Sequence, residues 1–158
     1  INDLDVNNLD VATLNEYYFK TMHHEFTHIL NQRKPYDTNY DRITESSYVG
    51  SDWYHIYDEQ ALQMGFISPY AMDRGSEDFA EMLSIFVTNT ADTWESYLEA
   101  AEPNPNSPYY KAGVDGRAIL EQKFDIVYKY MKDSWGVDLY ELRDVVQRRQ
   151  GEINTLFN

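Results

Sequence analysis

Met22-His23-His24-Glu25-Phe26-Thr27-His28-Ile29-Leu30 carries a His-Glu-x-x-His pattern within a stretch of helical periodicity, and the rest of the chain is read outward from it. One helical turn separates His24 from His28, so both imidazoles project from one face toward a common point, with Glu25 beside them. Two neutral nitrogen ligands leave a Zn²⁺ ion open to a third protein ligand and a water, and an adjacent carboxylate can take that water's proton. The bland reading is an exposed i,i+4 histidine pair on an amphipathic helix, and the apolar residues around the motif weigh against it. Wound at about 100° per residue, Phe19, Met22, Phe26, Ile29 and Leu30 gather opposite His24 and His28, which share their side with Tyr17 and Thr21. The expectation is one face for the core and one for chemistry.

Thr13 with Glu16 three residues on resembles a capping box, which predicts a motif helix from about Asp10 or Thr13 to about Gln32, ended by Lys34-Pro35. Residues 1–9, rich in Asn and Asp with Leu4, Val6 and Leu9 interspersed, fit a loop or a short strand equally well. Residues 36–49 are polar, rich in tyrosine and without a clear period, so a loop is expected there, with at most one short strand near Arg42 to Val49. Ser51 is placed to cap a second helix over Asp52 to Met64, with Gly65 as the residue that stops it. His55 falls on that helix; a lone histidine without a partner motif is more often a surface or cleft-rim residue than a ligand.

The second half of the chemistry lies further on. Ser76 is placed to cap a helix from Glu77 to about Thr88, in which Glu77 and Glu81 lie one turn apart on a stripe with small Ala80 and Ser84. Phe79, Met82, Leu83 and Phe86 form its apolar side. With no cysteine in the chain, a third metal ligand must be a carboxylate or another histidine. Glu77 is the choice, because it opens a helix and the turn-rich Met72-Asp73-Arg74-Gly75 before it lets that helix pack across the motif helix. Glu81, one turn on, can hydrogen-bond the far nitrogen of a ligand histidine. Two solvated charges on an amphipathic helix would be the default for such a pair, and the His-Glu-x-x-His motif upstream is what tips the reading.

Helical spacing continues over Ala91 to Ala101 and over Gly116 to about Trp135, separated by a proline-rich surface loop over residues 102–108. Gly136 closes the latter helix, Asp138 caps a last one, and Gly151 is expected to interrupt its tail. No strict alternation is sustained, so the fold class is mainly α, with at most a small β element near the N-terminal half.

At 158 residues with 42% hydrophobic content, the chain reads as one domain over residues 1–158 that can bury a sizeable core. Its 14 tyrosines outnumber 7 phenylalanines, so much of the apolar area carries a hydroxyl that needs a partner or water. A formal charge of −14 argues against nucleic acid or an anionic membrane surface as partner. No apolar run is long enough to span a bilayer, and the opening at Ile1 rather than Met leads to the expectation of a mature portion or fragment of a longer precursor, whose anchor, if any, lies upstream.

Together, His24-Glu25-Phe26-Thr27-His28, Ser68-Pro69-Tyr70-Ala71 and Glu77-Asp78-Phe79-Ala80-Glu81 resemble the gluzincin-type metallopeptidases, in which a Glu on a later helix completes the zinc site. More narrowly, the chain is similar to the zinc-binding metallopeptidases known as substrate import-associated zinc metallohydrolase lipoproteins. The matching motifs span about Tyr18 to Val87, roughly half the chain. The resemblance implies a zincin-like helical catalytic domain in which His24, His28 and Glu77 bind Zn²⁺. It makes Glu25 the general base and Glu81 the carboxylate behind a ligand. It also matches Tyr70 to the tyrosine that stabilises the oxyanion in lethal-factor-like members, although Tyr70 can equally be one of many tyrosines near a cleft. A peptide or protein substrate is implied, as is a lipid-anchored location at a bacterial cell envelope, in the periplasm or on the outer-membrane surface. Zincins usually lay the substrate along a small sheet ahead of the motif helix, whereas few residues precede the motif here and few of those read as strand. The expected activity is that of a zinc metallopeptidase. The alternatives are a zinc-binding component of an envelope nutrient-import system without turnover, and hydrolysis of a non-peptide bond.

Overall fold

The computed structural model describes residues 11–156, so the expected loop or strand over residues 1–9 lies outside the described residues. The α-helices follow in the order α1 (Val11–Leu14), α2 (Lys20–Arg33), α3 (Asn39–Ile43), α4 (Asp58–Gln63), α5 (Gly75–Thr88), α6 (Ala91–Ala100), α7 (Gly116–Trp135) and α8 (Leu139–Leu156). No strand occurs among the described residues, and the mainly α expectation holds.

The helix α5 is the axis. Every residue from Glu77 to Thr88 is buried, because α2, α3, α7 and α8 surround it. Phe79, Met82, Leu83 and Phe86 pack into the core as predicted, with Phe79 stacked on Tyr36 and Phe86 wedged between Trp94 and Phe124. Each such buried aromatic or aliphatic side chain stabilises the fold by roughly 1.5–3 kcal/mol. The first turn of α5 is tied down by charge. The Asp78 carboxylate, fully buried, accepts from Lys123 Nζ on α7 at 2.6 Å, from the Tyr40 hydroxyl at 3.1 Å and from the Tyr48 hydroxyl at 2.9 Å. Lys123, also fully buried, donates in addition to the Gly65 carbonyl at 2.9 Å.

Several local expectations are corrected. The motif helix runs unbroken from Val11 to Arg33 but passes through a π-helical turn at Asn15–Phe19, and Thr13 lies inside it rather than capping it. The wider turn is where Asn15 reaches the end of α5: its side-chain amide donates to the Thr88 carbonyl at 2.7 Å and its oxygen accepts from Gln150. No strand forms near Arg42 to Val49. Asp37 accepts the Asn39 N–H, α3 follows, and a 3₁₀ turn at Glu45–Ser47 comes next, which drives the Tyr40 ring into the core. The helix expected from Asp52 to Met64 is split, since Gly50–His55 is a 3₁₀ helix, Ile56 and Tyr57 are extended, and α4 starts only at Asp58. Ile56, in the extended break between them, packs against the core. Gly65 does stop α4, at φ +80°, and a Cβ there would collide with Ile119. Ser76 lies one residue inside α5, whose first residue is Gly75; a Cβ at Gly75 would overlap the Asp41 carboxylate. Gly151 does not interrupt α8, because Gln150 beside it is buried against Asn15 and the Thr88 carbonyl.

The largest correction concerns α2. Of the five residues expected to form its core face, Leu30 is buried, Phe19 is half-buried, and Met22, Phe26 and Ile29 are exposed. The buried arc instead carries His24, Thr27 and Leu30. Glu77 and Glu81, on a helix surrounded on all sides, need polar partners, and the motif histidines are what α2 turns inward to meet them.

Candidate metal centre

His24 and His28 leave α2 one turn apart and meet Glu77 from the first turn of α5. Glu77 Oε2 lies 3.0 Å from His24 Nε2 and 3.1 Å from His28 Nε2, and the two nitrogens are 3.0 Å apart. These three residues form a group that could hold a metal ion. The tautomer of His24 sharpens the point. Its Nδ1 lies 2.9 Å from Glu81 Oε1, and a carboxylate can only accept, so Nδ1 carries a proton. In a neutral ring Nε2 is then a bare lone pair, aimed at a carboxylate oxygen and a second imidazole nitrogen. Three donor atoms on a nearly equilateral triangle match ligands on a shared cation: with bonds of about 2.0–2.1 Å, tetrahedral geometry places ligand atoms roughly 3.3 Å apart. Nitrogen and oxygen donors without sulfur suit Zn²⁺.

The electrostatics agree. Burial lowers the His24 pKa, but hydrogen bonds and charge from Glu81 and Glu77 outweigh it and leave the value raised. Burial raises Glu77, and the hydrogen bond from His24, the charge of His28 and the hydroxyl of Tyr70 bring it below the usual carboxylate value. Glu81 is likewise held low by His24, Lys20 and Ser68 against the effect of its burial. The two lowered carboxylates stay charged and favour a cation beside them, while the raised His24 binds a proton that a metal would have to displace.

Glu81 is 1% exposed and fully engaged. Its Oε1 serves His24, while Oε2 accepts from Lys20 Nζ at 3.1 Å and from the Ser68 hydroxyl at 2.7 Å. Tyr70, on a 3₁₀ turn at Tyr70–Met72, sets its ring 5.6 Å from that of His24, on the side of Glu77. Burial and the nearby Glu77 push its pKa up to about 12, so it remains a neutral donor. Trp53 packs edge-on against the Tyr70 ring at 5.0 Å. Glu25 is exposed, about 100° around the helix from His24 and about 60° from His28. His55 is exposed and its ring lies tilted against that of Tyr54, outside the ligand group.

Lys20, Trp53 and Arg74 around the site escaped the sequence reading, and Ser68 entered it only as part of a motif, without a role. Lys20 was within reach of it, since it lies four residues before His24 on the same arc of α2. Ser68 and Trp53 are brought in by loops and 3₁₀ turns that carry no periodic signal. Arg74, whose Nε stands 3.7 Å from Glu77 Oε1 and 2.8 Å from Asp73, reads in the sequence only as part of a turn.

A family model described as putative zinc-binding metallo-peptidase matches residues 1–140. Among solved structures, the chain is similar to the crystal structure of a putative zinc-binding metallo-peptidase from Bacteroides caccae ATCC 43185, with 42% identity and a TM-score of 0.82. That match covers 96% of this chain and 53% of the other, so the chain spans about half the length of the crystallised relative. No curated protein matches it.

Proposed function

The chain belongs to the putative zinc-binding metallo-peptidase family, and from that premise we propose that it hydrolyses peptide bonds with His24, His28 and Glu77 as zinc ligands in the gluzincin manner. The observation that carries this reading is the convergence of those three donor atoms within about 3 Å of one another. Bound there, Zn²⁺ supplies a Lewis acid for the scissile carbonyl and lowers the pKa of a water to about 7.

The chain's own residues do the rest. Glu25, on the solvent-facing flank beside the ligands, takes the proton from the attacking water and delivers it to the leaving amine. Glu81 holds the Nδ1 proton of His24, which fixes the ring's orientation and keeps Nε2 free for the metal. Tyr70, a neutral phenol whose ring lies 5.6 Å from that of His24, donates its hydroxyl to the developing oxyanion in this reading. Membership of an extracytoplasmic, lipid-anchored group at a bacterial envelope, with a peptide or protein as partner, is part of the same proposal and rests on the motif resemblance.

Incubation with a mixed peptide library, with and without a chelator, tests the reading by mass spectrometry of the products. Chelator-sensitive cleavage, restored by stoichiometric zinc, is the expected result. Zinc retained without any cleavage refutes it and favours a binding component of an import system. Turnover of esters or amides other than peptides under the same conditions would move the substrate class and keep the mechanism.

A further inference from the structure

The turn that leads into α5 sets one cation against the ligand group. Arg74 Nε stands 2.8 Å from Asp73 Oδ2 and 3.7 Å from Glu77 Oε1, and its side chain is 67% exposed. Among the described residues no other lysine or arginine ion-pairs with a member of that group. The main chain beneath it is fixed from several sides. The Arg74 carbonyl accepts the Asp78 N–H at 3.0 Å, the Asp73 carbonyl accepts the Gly50 N–H at 3.2 Å, and the Met72 carbonyl accepts the Val49 N–H at 2.8 Å. Asp73, whose own side chain is 12% exposed, occupies the Nε corner of the guanidinium. Both terminal nitrogens are left without a partner among the described residues. A guanidinium held at one corner with its far edge free is arranged to take a carboxylate through two parallel N–H donors. A plain surface ion pair with Asp73 would need neither the fixed turn nor the approach to Glu77.

We propose that Arg74 is the substrate-carboxylate site of this centre, its two terminal nitrogens binding a carboxylate that the peptide carries within about two residues of the scissile bond. The inference rests on the peptidase reading and names what that reading leaves open, the class of peptide. Distance sets the reach. Glu77 offers Oε2 to the two histidines and Oε1 toward Arg74, so the guanidinium lies one carboxylate's width beyond the ligand group. A peptide whose scissile carbonyl sits at that group passes Arg74 within about 7 Å, the span of two extended residues. The parallel donors match the two oxygens of a carboxylate, whereas a peptide carbonyl or a hydroxyl engages only one of them. The overall charge of −14 does not oppose this, because at physiological salt charges are screened over about 8 Å and a bound carboxylate meets Arg74 before the distant acidic faces. Two sources carry the same chemistry, the C-terminus of the substrate and an Asp or Glu side chain, and the test separates them.

The test uses the full-length product of the gene, loaded with zinc and carrying Glu25→Gln so that a bound peptide stays whole. Calorimetry reads its affinity for one hexapeptide sequence with a free C-terminal carboxylate, with a C-terminal amide, and as the amide with Asp or Asn placed at each position in turn. A carboxylate in the preferred place should tighten binding by about 10- to 100-fold over the matching amide. Arg74→Gln should cut that ratio to about twofold, and Arg74→Lys, which keeps the charge and loses the fork, should retain part of it. An advantage confined to the free C-terminus assigns a terminal carboxylate, and one that follows the Asp position assigns a side chain. With Arg74 in place, equal affinity of the acid and amide forms, or binding of neither, overturns the proposal. A ratio that survives Arg74→Gln overturns it too, because the zinc ion then holds the carboxylate by itself. The same peptides are digested in parallel by the protein with Glu25 restored. Absence of cleavage there refutes the peptidase reading, while the binding ratio, which needs no turnover, still decides the role of Arg74.

Discussion

Replacing Glu81 by alanine isolates the group that sets the His24 tautomer. In the native protein Glu81 Oε1 accepts the Nδ1 proton of His24 at 2.9 Å, in a pocket where His24 is 4% and Glu81 1% exposed. Alanine leaves that N–H without an acceptor where water enters poorly, a cost of about 1–3 kcal/mol, and frees the ring to rotate or to move its proton to Nε2. Part of this cost falls on the metal-free state as well, so the loss seen in binding should be the part due to ring orientation: zinc affinity about 10- to 100-fold weaker, or roughly 1.4–2.8 kcal/mol. Competition against a chromophoric chelator measures it, and a thermal melt of the metal-free protein separates weakened binding from unfolding. Glu81→Gln, which keeps a carbonyl acceptor for Nδ1 and loses the charge, should fall between the two; Lys20, 32% exposed, can turn to water. Zinc affinity of Glu81→Ala within about twofold of the native value, in a folded protein, would refute the argument from the tautomer.

Glu25→Gln should bind zinc as the native protein does and lose hydrolysis by about 10²-fold or more, read from peptide turnover at saturating metal. Tyr70→Phe should leave zinc affinity near native and lower turnover by about 10- to 1,000-fold, while equal turnover would return Tyr70 to a packing role beside Trp53. The pH dependence should have opposite signs with and without metal. In the metal-free protein the lowered Glu77 and Glu81 contribute stability that is fully present above their usual 4.5 and lost as pH falls through their folded values. The raised His24 contributes stability that is fully present below its usual 6.5 and lost as pH rises through a folded value above that. Melts of the metal-free protein should therefore be highest between about pH 4.5 and 6.5, whereas zinc affinity, which needs unprotonated His24 and His28, should still be rising above 6.5. Lys123→Met leaves the buried Asp78 carboxylate without its cation and should destabilise by about 3–5 kcal/mol in chemical denaturation; adding Asp78→Asn, which removes the charge and keeps an oxygen for the Tyr40 and Tyr48 hydroxyls, should recover part of that loss.

The grouping of His24, His28 and Glu77 was legible in the sequence because its logic is local. His24 and His28 share a helix face by spacing alone, and Glu77 and Glu81 sit one turn apart on a second helix. Only the absence of cysteine and the motif upstream were needed to pair the two helices. The end of α7 was legible for the same reason, since Gly136 takes the left-handed conformation at φ +69° that stops the helix. The 3₁₀ turns at Gly50–His55 and Tyr70–Met72 were not, because tertiary demands set them: Ile56 packing on the core, and Tyr70 held between Trp53, His24 and Glu77. The clearest divide runs through α2 itself. Its periodicity separates an apolar face from a histidine face, and the sequence by itself determines that much. Which face turns inward was decided by α5, whose buried carboxylates have to be met by polar groups. Leaving Glu77 and Glu81 without partners in the interior would cost several kcal/mol each, more than leaving Met22, Phe26 and Ile29 half in water.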